Sequence, residues 1–298
     1  MENIRKIDIH AHVTAFPQYA PVNYFSGYRM PSPEELISYY DKLNIEYGVL
    51  LPISAPEAQC LQMTSESVKW VTDQHPDRFL WFCGVDPRAV WNRSDVDLGF
   101  LLAHYRSLGA KGVGELTANL YADDPMVENL FAHCAEQKMP VTIHIATQFG
   151  TGYGIVDDIG LPRLERMLKK YPDLIILGHS QPFWSEISAN TPENRNEYPT
   201  GKVSGGRLPE LLREYGNLYC DLSAGSGANA LMRDPEHAAR FVEEFSDRVL
   251  YGCDICASFN KHPYEFNDFL DGMLASGAIS EENYRKLVRD NAVRLLGL

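Results

Sequence analysis

Eight short apolar runs, each followed by a helical pattern, set the strongest limit on what this chain can fold into. The runs are Arg5–His12, Tyr47–Ile53, Phe79–Val85, Lys111–Leu116, Pro140–Ile145, Leu174–His179, Asn217–Leu222 and Val249–Asp254. Most are rich in Val, Ile and Leu, and several are apolar on both faces, as strands of a parallel sheet covered by helices must be. Helices are expected over Ser32–Leu43, Ala58–Gln74, Asp95–Leu108, Pro125–Gln137, Leu161–Lys170, Arg207–Tyr215, Pro235–Phe245, Pro263–Leu274 and Ser280–Leu295. The first opens with Ser-Pro-Glu-Glu, a capping serine followed by proline and acids, and the last ends at Gly297. Eight βα units predict an α/β fold, a (β/α)8 TIM barrel, as a single domain over residues 1–298. The rival is a doubly wound open sheet. No Gly-X-Gly-X-X-Gly or Walker-type loop follows any run, so the usual reason for such a sheet is missing.

The spacing of the runs is uneven. Most units take roughly 30 to 35 residues, while the first and sixth take about ten more, all of it after the strand. In a barrel that is the face where active sites are built. The first long loop, Val13–Pro31, is aromatic, with Phe16, Tyr19, Tyr24, Phe25 and Tyr28. The second, Gln181–Gly206, carries Phe183, Trp184, Glu186, Arg195, Tyr198 and Lys202. A glycine-rich loop, Ala146–Gly160, with Phe149, Tyr153, Asp157 and Asp158, has the character of a lid.

Composition narrows the function classes. A formal net charge of −13 argues against nucleic acid or an anionic membrane as a partner, since both reward basic surfaces. No apolar run approaches the roughly 18 residues of a membrane span. The opening residues Met1 to Lys6 lack the apolar core of a signal peptide. Six scattered cysteines read as reduced thiols, and Cys253-X-X-Cys256 lacks the strand–helix setting of a redox motif. A cytoplasmic protein acting on a small molecule is expected. Its oligomeric state is open, with a homo-oligomer expected because dimers are common.

Ile7-Asp8-Ile9-His10-Ala11-His12 carries the chemistry. On a regular strand Ile7, Ile9 and Ala11 share one face and Asp8, His10 and His12 the other, so the polar face is expected inward, with both imidazoles aimed at one point. Such a pair suits a divalent metal. Further metal-type residues end later runs: Glu115 in Gly-Val-Gly-Glu-Leu, His144 in Val-Thr-Ile-His-Ile, His179 in Ile-Leu-Gly-His-Ser and Asp254 in Leu-Tyr-Gly-Cys-Asp. In a closed barrel these ends ring one mouth, where a metal would offset the cost of gathering acids and imidazoles.

This ordered set resembles the amidohydrolase superfamily. The closing stretch Asp290-Asn291-Ala292-Val293-Arg294-Leu295-Leu296-Gly297 is similar to the last helix of its branch containing aminocarboxymuconate-semialdehyde decarboxylase and related hydrolases. The resemblance implies a metal-dependent barrel hydrolase or decarboxylase. It makes His10, His12, His144 and Asp254 residues of the metal site, and His179 the acid/base or the ligand of a second ion. Glu115 departs from the single-metal pattern and is the candidate bridge between two ions. Lys111 lies too early on its strand for that task. The expected cofactor is one or two divalent ions, with zinc the leading choice. Zinc would lower the pKa of water, Asp254 would take and return the proton, and His179 would polarise a carbonyl or assist the transfer.

Non-oxidative decarboxylation could use the same residues. A barrel that only binds a ligand or a stabilising metal is the third reading, though structural zinc sites favour closed, cysteine-rich sets. For the substrate, the expected contacts are Tyr153, Phe25, Trp184 and one of five cations that could hold a carboxylate: Arg29, Arg195, Lys202, Arg207 or Arg233. Arg233, beyond the Ser-Ala-Gly-Ser-Gly run 223–227, is favoured among them.

Overall fold

The structure is a computed structural model that describes residues 4–23, 26–192 and 194–298. In it β1 (Lys6–Ala11), β2 (Ile45–Leu50) and β3 (Phe79–Trp81) pair in that order. A second sheet contains β4 (Val113–Leu116) and β5 (Val141–Ala146), with the two-residue β6 (Ile155–Val156) hanging on β5. It continues through β7 (Ile176–His179), β8 (Leu218–Asp221) and β9 (Val249–Leu250). All these pairings are parallel. Two parallel bridges, Cys83 to Val113 and Ala11 to Ile255, join the sheets edge to edge. Eight staves therefore close into a TIM barrel, and β6, inside the glycine-rich loop, is an addition that the sequence reading lacks.

The barrel interior is filled by Ile7 and Ile9 of β1, by Val49, Leu51, Phe82, Leu177 and Leu250, and by Ala292 and Leu296 of the helix Asn291–Leu296. That helix plugs the end where the strands begin. A larger apolar layer lies between strands and helices. Helix starts follow the expected chemistry: Ser32 and Glu35 form a reciprocal capping box before Pro33–Leu43, and Asp124, Asp234 and Ser280 each cap a later helix.

The inward polar face of β1 is corrected. Ile7 and Ile9 face the interior, whereas Asp8 faces the outer helix Pro33–Leu43, where its carboxylate accepts from the Tyr40 hydroxyl at 2.8 Å. Asp8 stands opposite Gly48, and a Cβ on Gly48 would lie 2.0 Å from the Tyr40 oxygen, so this close approach requires glycine. From Asp8 to Ala11 β1 advances three residues while β2 advances two, from Gly48 to Leu50. This irregularity breaks the alternation and turns His10 toward the mouth although its neighbour Ile9 also faces inward.

Other boundaries differ for local reasons. The expected helix Ala58–Gln74 divides into a 3-10 turn, Pro56–Leu61, and a helix, Ser65–Gln74, capped by the Thr64 hydroxyl. The run 223–227 starts a helix, Ala224–Met232, against its low propensity. Its first turn lies close on the residue that follows β8, since a Cβ on Gly227 would meet the Leu222 carbonyl at 2.2 Å. The last helix is interrupted by a π turn over Lys286–Asp290.

Candidate metal centre

Each polar side chain at the mouth is delivered by the end of a strand. His10 and His12 leave β1, Glu115 lies on β4, His144 on β5 and His179 on β7, while Asp254 follows β9. The structure brings all six together. His10 Nε2 and His12 Nε2 are 3.1 Å apart. Glu115 Oε2 lies 3.5 Å from His12 Nε2 and 3.7 Å from His10 Nε2. Asp254 Oδ1 lies 3.4 and 3.9 Å from the same two atoms. Its Oδ2 is 3.7 Å from His179 Nε2. Glu115 Oε1 meets His144 Nδ1 at 2.8 Å.

The imidazoles are oriented from behind. His10 Nδ1 faces Asp221 Oδ2 at 2.6 Å, and His12 Nδ1 faces the Leu51 carbonyl at 2.9 Å. Both acceptors require a proton on Nδ1, so both histidines turn Nε2 to the mouth. His179 Nδ1 instead meets the Ser223 hydroxyl at 2.9 Å. Asp221 and Ser223 are absent from the sequence-predicted site. Asp221 was legible by the criterion that finds Asp254, an acid ending an apolar run; Ser223 carries no such signal.

Three overlapping groups place their ligand atoms within 4.8 Å of one another: His10, His12 and Glu115; His10, His179 and Asp254; Glu115, His144 and His179. Imidazole and carboxylate donors of this kind suit zinc, manganese or a similar divalent ion, and among the described residues no thiol joins them. The residues present therefore fit such an ion. The sequence profile of the Amidohydrolase family matches residues 7–298.

The chain belongs to the amidohydrolase family.

Solved structures agree on the fold. An uncharacterised TIM-barrel protein from Bordetella bronchiseptica is 18% identical with a TM-score of 0.66, each chain covered over 98%. A putative 2-pyrone-4,6-dicarboxylic acid hydrolase from Pseudomonas putida is 19% identical with a TM-score of 0.62, covering 99% of this chain and 98% of its own. A 5-carboxyvanillate decarboxylase from Novosphingobium aromaticivorans, complexed with manganese and 4-hydroxy-3-methoxy-5-nitrobenzoic acid, is 19% identical with a TM-score of 0.63. It is matched over 100% of this chain and 97% of its own. No curated protein matches the sequence significantly.

Electrostatics in this amidohydrolase reflect the crowding. Burial alone would lower the His10 pKa, but Asp221, with Glu115 and Asp254, holds it well above the ordinary histidine value. Burial would raise Glu115; the His144 charge and hydrogen bonds from His10, His12 and His144 hold it well below the usual carboxylate range. Burial, then the neighbouring His10 charge, push His179 down to about 4. His10, His12, Glu115 and His179 are almost fully buried, whereas the side chains of His144 and Asp254 are each 17% exposed. Those two are the faces the site turns outward. Backbone strain gathers here as well: Ser180 (φ 100), Ala224 (φ 62) and Asp254 (φ 49) are all left-handed without being glycine.

The expected substrate contacts fall in different places. Tyr153 lies over the His144 ring, with centroids 4.8 Å apart. Trp184 is 2% exposed, donates its indole N–H to the Asp221 carbonyl at 3.0 Å and packs on Phe183 and Phe241, so it stands in the support of β8. Phe25 and Tyr24 lie outside the described residues. Phe16, in the same loop, stacks on Trp70. Four of the five cations already have anionic partners: Arg29 with Glu35, Arg195 with Glu186, Lys202 with Asp234 and Glu236, and Arg207 with Glu165 and Glu210. Arg233 keeps Nε and Nη2 buried without a hydrogen-bond partner. The described cysteines, Cys83, Cys134, Cys220, Cys253 and Cys256, are free thiols. Among the described residues no helix is long and apolar enough to cross a membrane.

Proposed function

We propose that this amidohydrolase-family chain is a metal-dependent hydrolase of a small substrate, cyclic or carboxylated. The observation that carries the reading is the position of Asp254. One of its oxygens faces His12 and His10 while the other faces His179, and it is partly open to the mouth. His10 and His12, with Glu115 and Asp254 beside them, would hold a divalent ion, with zinc the expectation from the residues; His144 and His179 lie within reach of a second. When bound, such an ion makes water more acidic and draws charge from a substrate oxygen.

The chain's own residues supply the rest. Asp254 takes the proton from the attacking water and passes it to the leaving group. His179 Nε2, on the far side of that carboxylate, polarises the substrate carbonyl or assists the transfer. Tyr153 covers the His144 side and excludes water, and Arg233 is the cation left to answer a substrate carboxylate.

Non-oxidative decarboxylation is the second reading, with His179 or Asp254 donating the proton. Its support is the likeness to the manganese-bound decarboxylase, as the likeness to the pyrone hydrolase supports the first. A metal-replete screen over lactones, esters, amides and aromatic carboxylic acids tests both, with product analysis. Release of a carboxylate supports hydrolysis, release of carbon dioxide supports decarboxylation, and Asp254→Asn is expected to lose about a thousandfold of either activity. No turnover across the panel, or full activity in Asp254→Asn, overturns the proposal.

A further inference from the structure

The end of β4 and the residues after it meet His144 from two sides. Glu115 Oε1 lies 2.8 Å from His144 Nδ1. Further along the same segment, Asn119 reaches into the glycine-rich loop, whose Tyr153 ring lies over the His144 ring. Asn119 is buried, at 3% exposure. Its side-chain carbonyl accepts from the Gly150 N–H at 2.5 Å. Its amide nitrogen donates to the Gln148 and Gly154 carbonyls, each at 3.2 Å. We infer that Asn119 is a positioning residue: it pins the glycine-rich loop from within and so seats Tyr153 on His144. This rests on the proposed part of Tyr153 in covering the mouth.

Main-chain pairing holds only the stem of this loop. Ile145 and Ala146 of β5 stand beside Ile155 and Val156 of β6, and the Val156 N–H donates to the Leu120 carbonyl at 2.8 Å. Residues 147–154 run between them through turns and bends, with no strand pairing. There the Asn119 side chain supplies anchors on both sides of Tyr153. An amide suits the task because it offers two N–H donors and a carbonyl acceptor on one plane. Its orientation follows from its partners: a flipped amide would turn nitrogen to the Gly150 N–H and oxygen to two carbonyls. Gly154 is held twice, since its own N–H donates to the Thr117 carbonyl at 2.6 Å. It lies so close to the site that a Cβ there would be 2.8 Å from His144 Cδ2. The residue next to Tyr153 is thereby fixed against His144, and the Tyr153 ring sits with its centroid 4.8 Å from that of the imidazole. A loop tied down in this way is a wall of the mouth rather than a swinging lid, and its ordering need not accompany substrate binding.

The test is hydrogen exchange and aromatic NMR on the purified full-length protein. In the wild type the Gly150 and Gly154 amides are expected to be protected, and the Tyr153 ring to show a nuclear Overhauser contact with the His144 ring. Asn119→Ala should speed exchange across residues 148–154 by about tenfold or more and abolish that contact, with the β5 amides unchanged. Asn119→Asp matches the side chain in size and keeps the acceptor for Gly150, but sets an oxygen against the two carbonyls. It should loosen the loop as well, which a mere packing role does not predict. On a substrate found in the screen, Asn119→Ala should raise KM by about tenfold with kcat less changed, and Tyr153→Ala should do the same. The double variant should be no worse than Tyr153→Ala, because Asn119 acts through Tyr153. Thermal melts accompany both Asn119 variants. Unchanged exchange at 148–154, a surviving Tyr153–His144 contact, additive kinetic losses, or a melt that collapses in both variants overturns the inference. The exchange and NMR results need no substrate, so they stand or fall separately from the proposed activity.

Discussion

The two ends of the barrel treat charge in opposite ways. Where the strands begin, charged groups meet opposite charges: the almost fully buried Lys6 lies 3.4 Å from Asp271, and Arg289 lies 2.5 Å from Glu46. Ala292 and Leu296 fill the space between the staves with apolar surface. Where the strands end, His10, His12, Glu115, His179 and Asp221 are buried together, and left-handed backbone falls nearby at Ser180, Ala224 and Asp254. One end is built as a core, and the other holds ionisable groups that a well-packed interior would exclude. Stability and chemistry are thereby separated along the barrel axis and can be perturbed independently.

Metal loading should give the largest effect on stability. At about a thousand times the dissociation constant, a divalent ion that binds only the folded chain stabilises it by about 4 kcal/mol. Differential scanning calorimetry with and without zinc or manganese should show the rise, and a chelator should reverse it; an unmoved melting temperature would mean that the mouth is no metal centre. The same samples resolve Glu115, whose two oxygens face different histidines. As a bridge, it should give about two bound ions per chain, falling to about one in Glu115→Gln. One ion in both proteins would make it the residue that orients His144.

Leu296→Ala attacks the opposite end. It opens a cavity in the plug and should cost about 2–4 kcal/mol in urea denaturation, with the number of bound ions unchanged. A loss of metal binding in this variant would erase the contrast between the ends.

Asp234→Ala sharpens the contrast, because this acid serves a mouth loop yet is fully partnered. Asp234 accepts from the N–H groups of Val203 and His237 and from Lys202. Those bonds, the Val203 N–H first, hold its pKa down at about 2. A carboxylate depressed in the folded state stabilises at pH above its unfolded value of about 3.8, and the benefit drains away as pH falls toward 2. The variant should therefore be about 1 kcal/mol less stable at pH 7 and approach the wild type near pH 2. A difference that stays constant with pH would show that the loop depends on something else.

Much of this was legible in the chain because the signals are local. Apolar runs alternating with capped helices are enough to specify the staves and the outer layer, and an acid or imidazole closing a run marks the mouth. That is why His10, His12, Glu115, His144, His179 and Asp254, far apart in sequence, could be assigned to one place before any geometry was known. Tertiary contact decided the rest. The register step between Asp8 and Ala11, set by pairing with β2, reversed the expected facing of β1 and sent Asp8 to Tyr40. The glycine- and serine-rich stretch is helical where it packs between the helices Gln181–Ser185 and His262–Ala275, and ion pairs claimed four of the five candidate cations. Which group stands behind which imidazole, Asp221 at His10 and Ser223 at His179, depends on bringing β1, β7 and β8 side by side, and no local pattern encodes that neighbourhood.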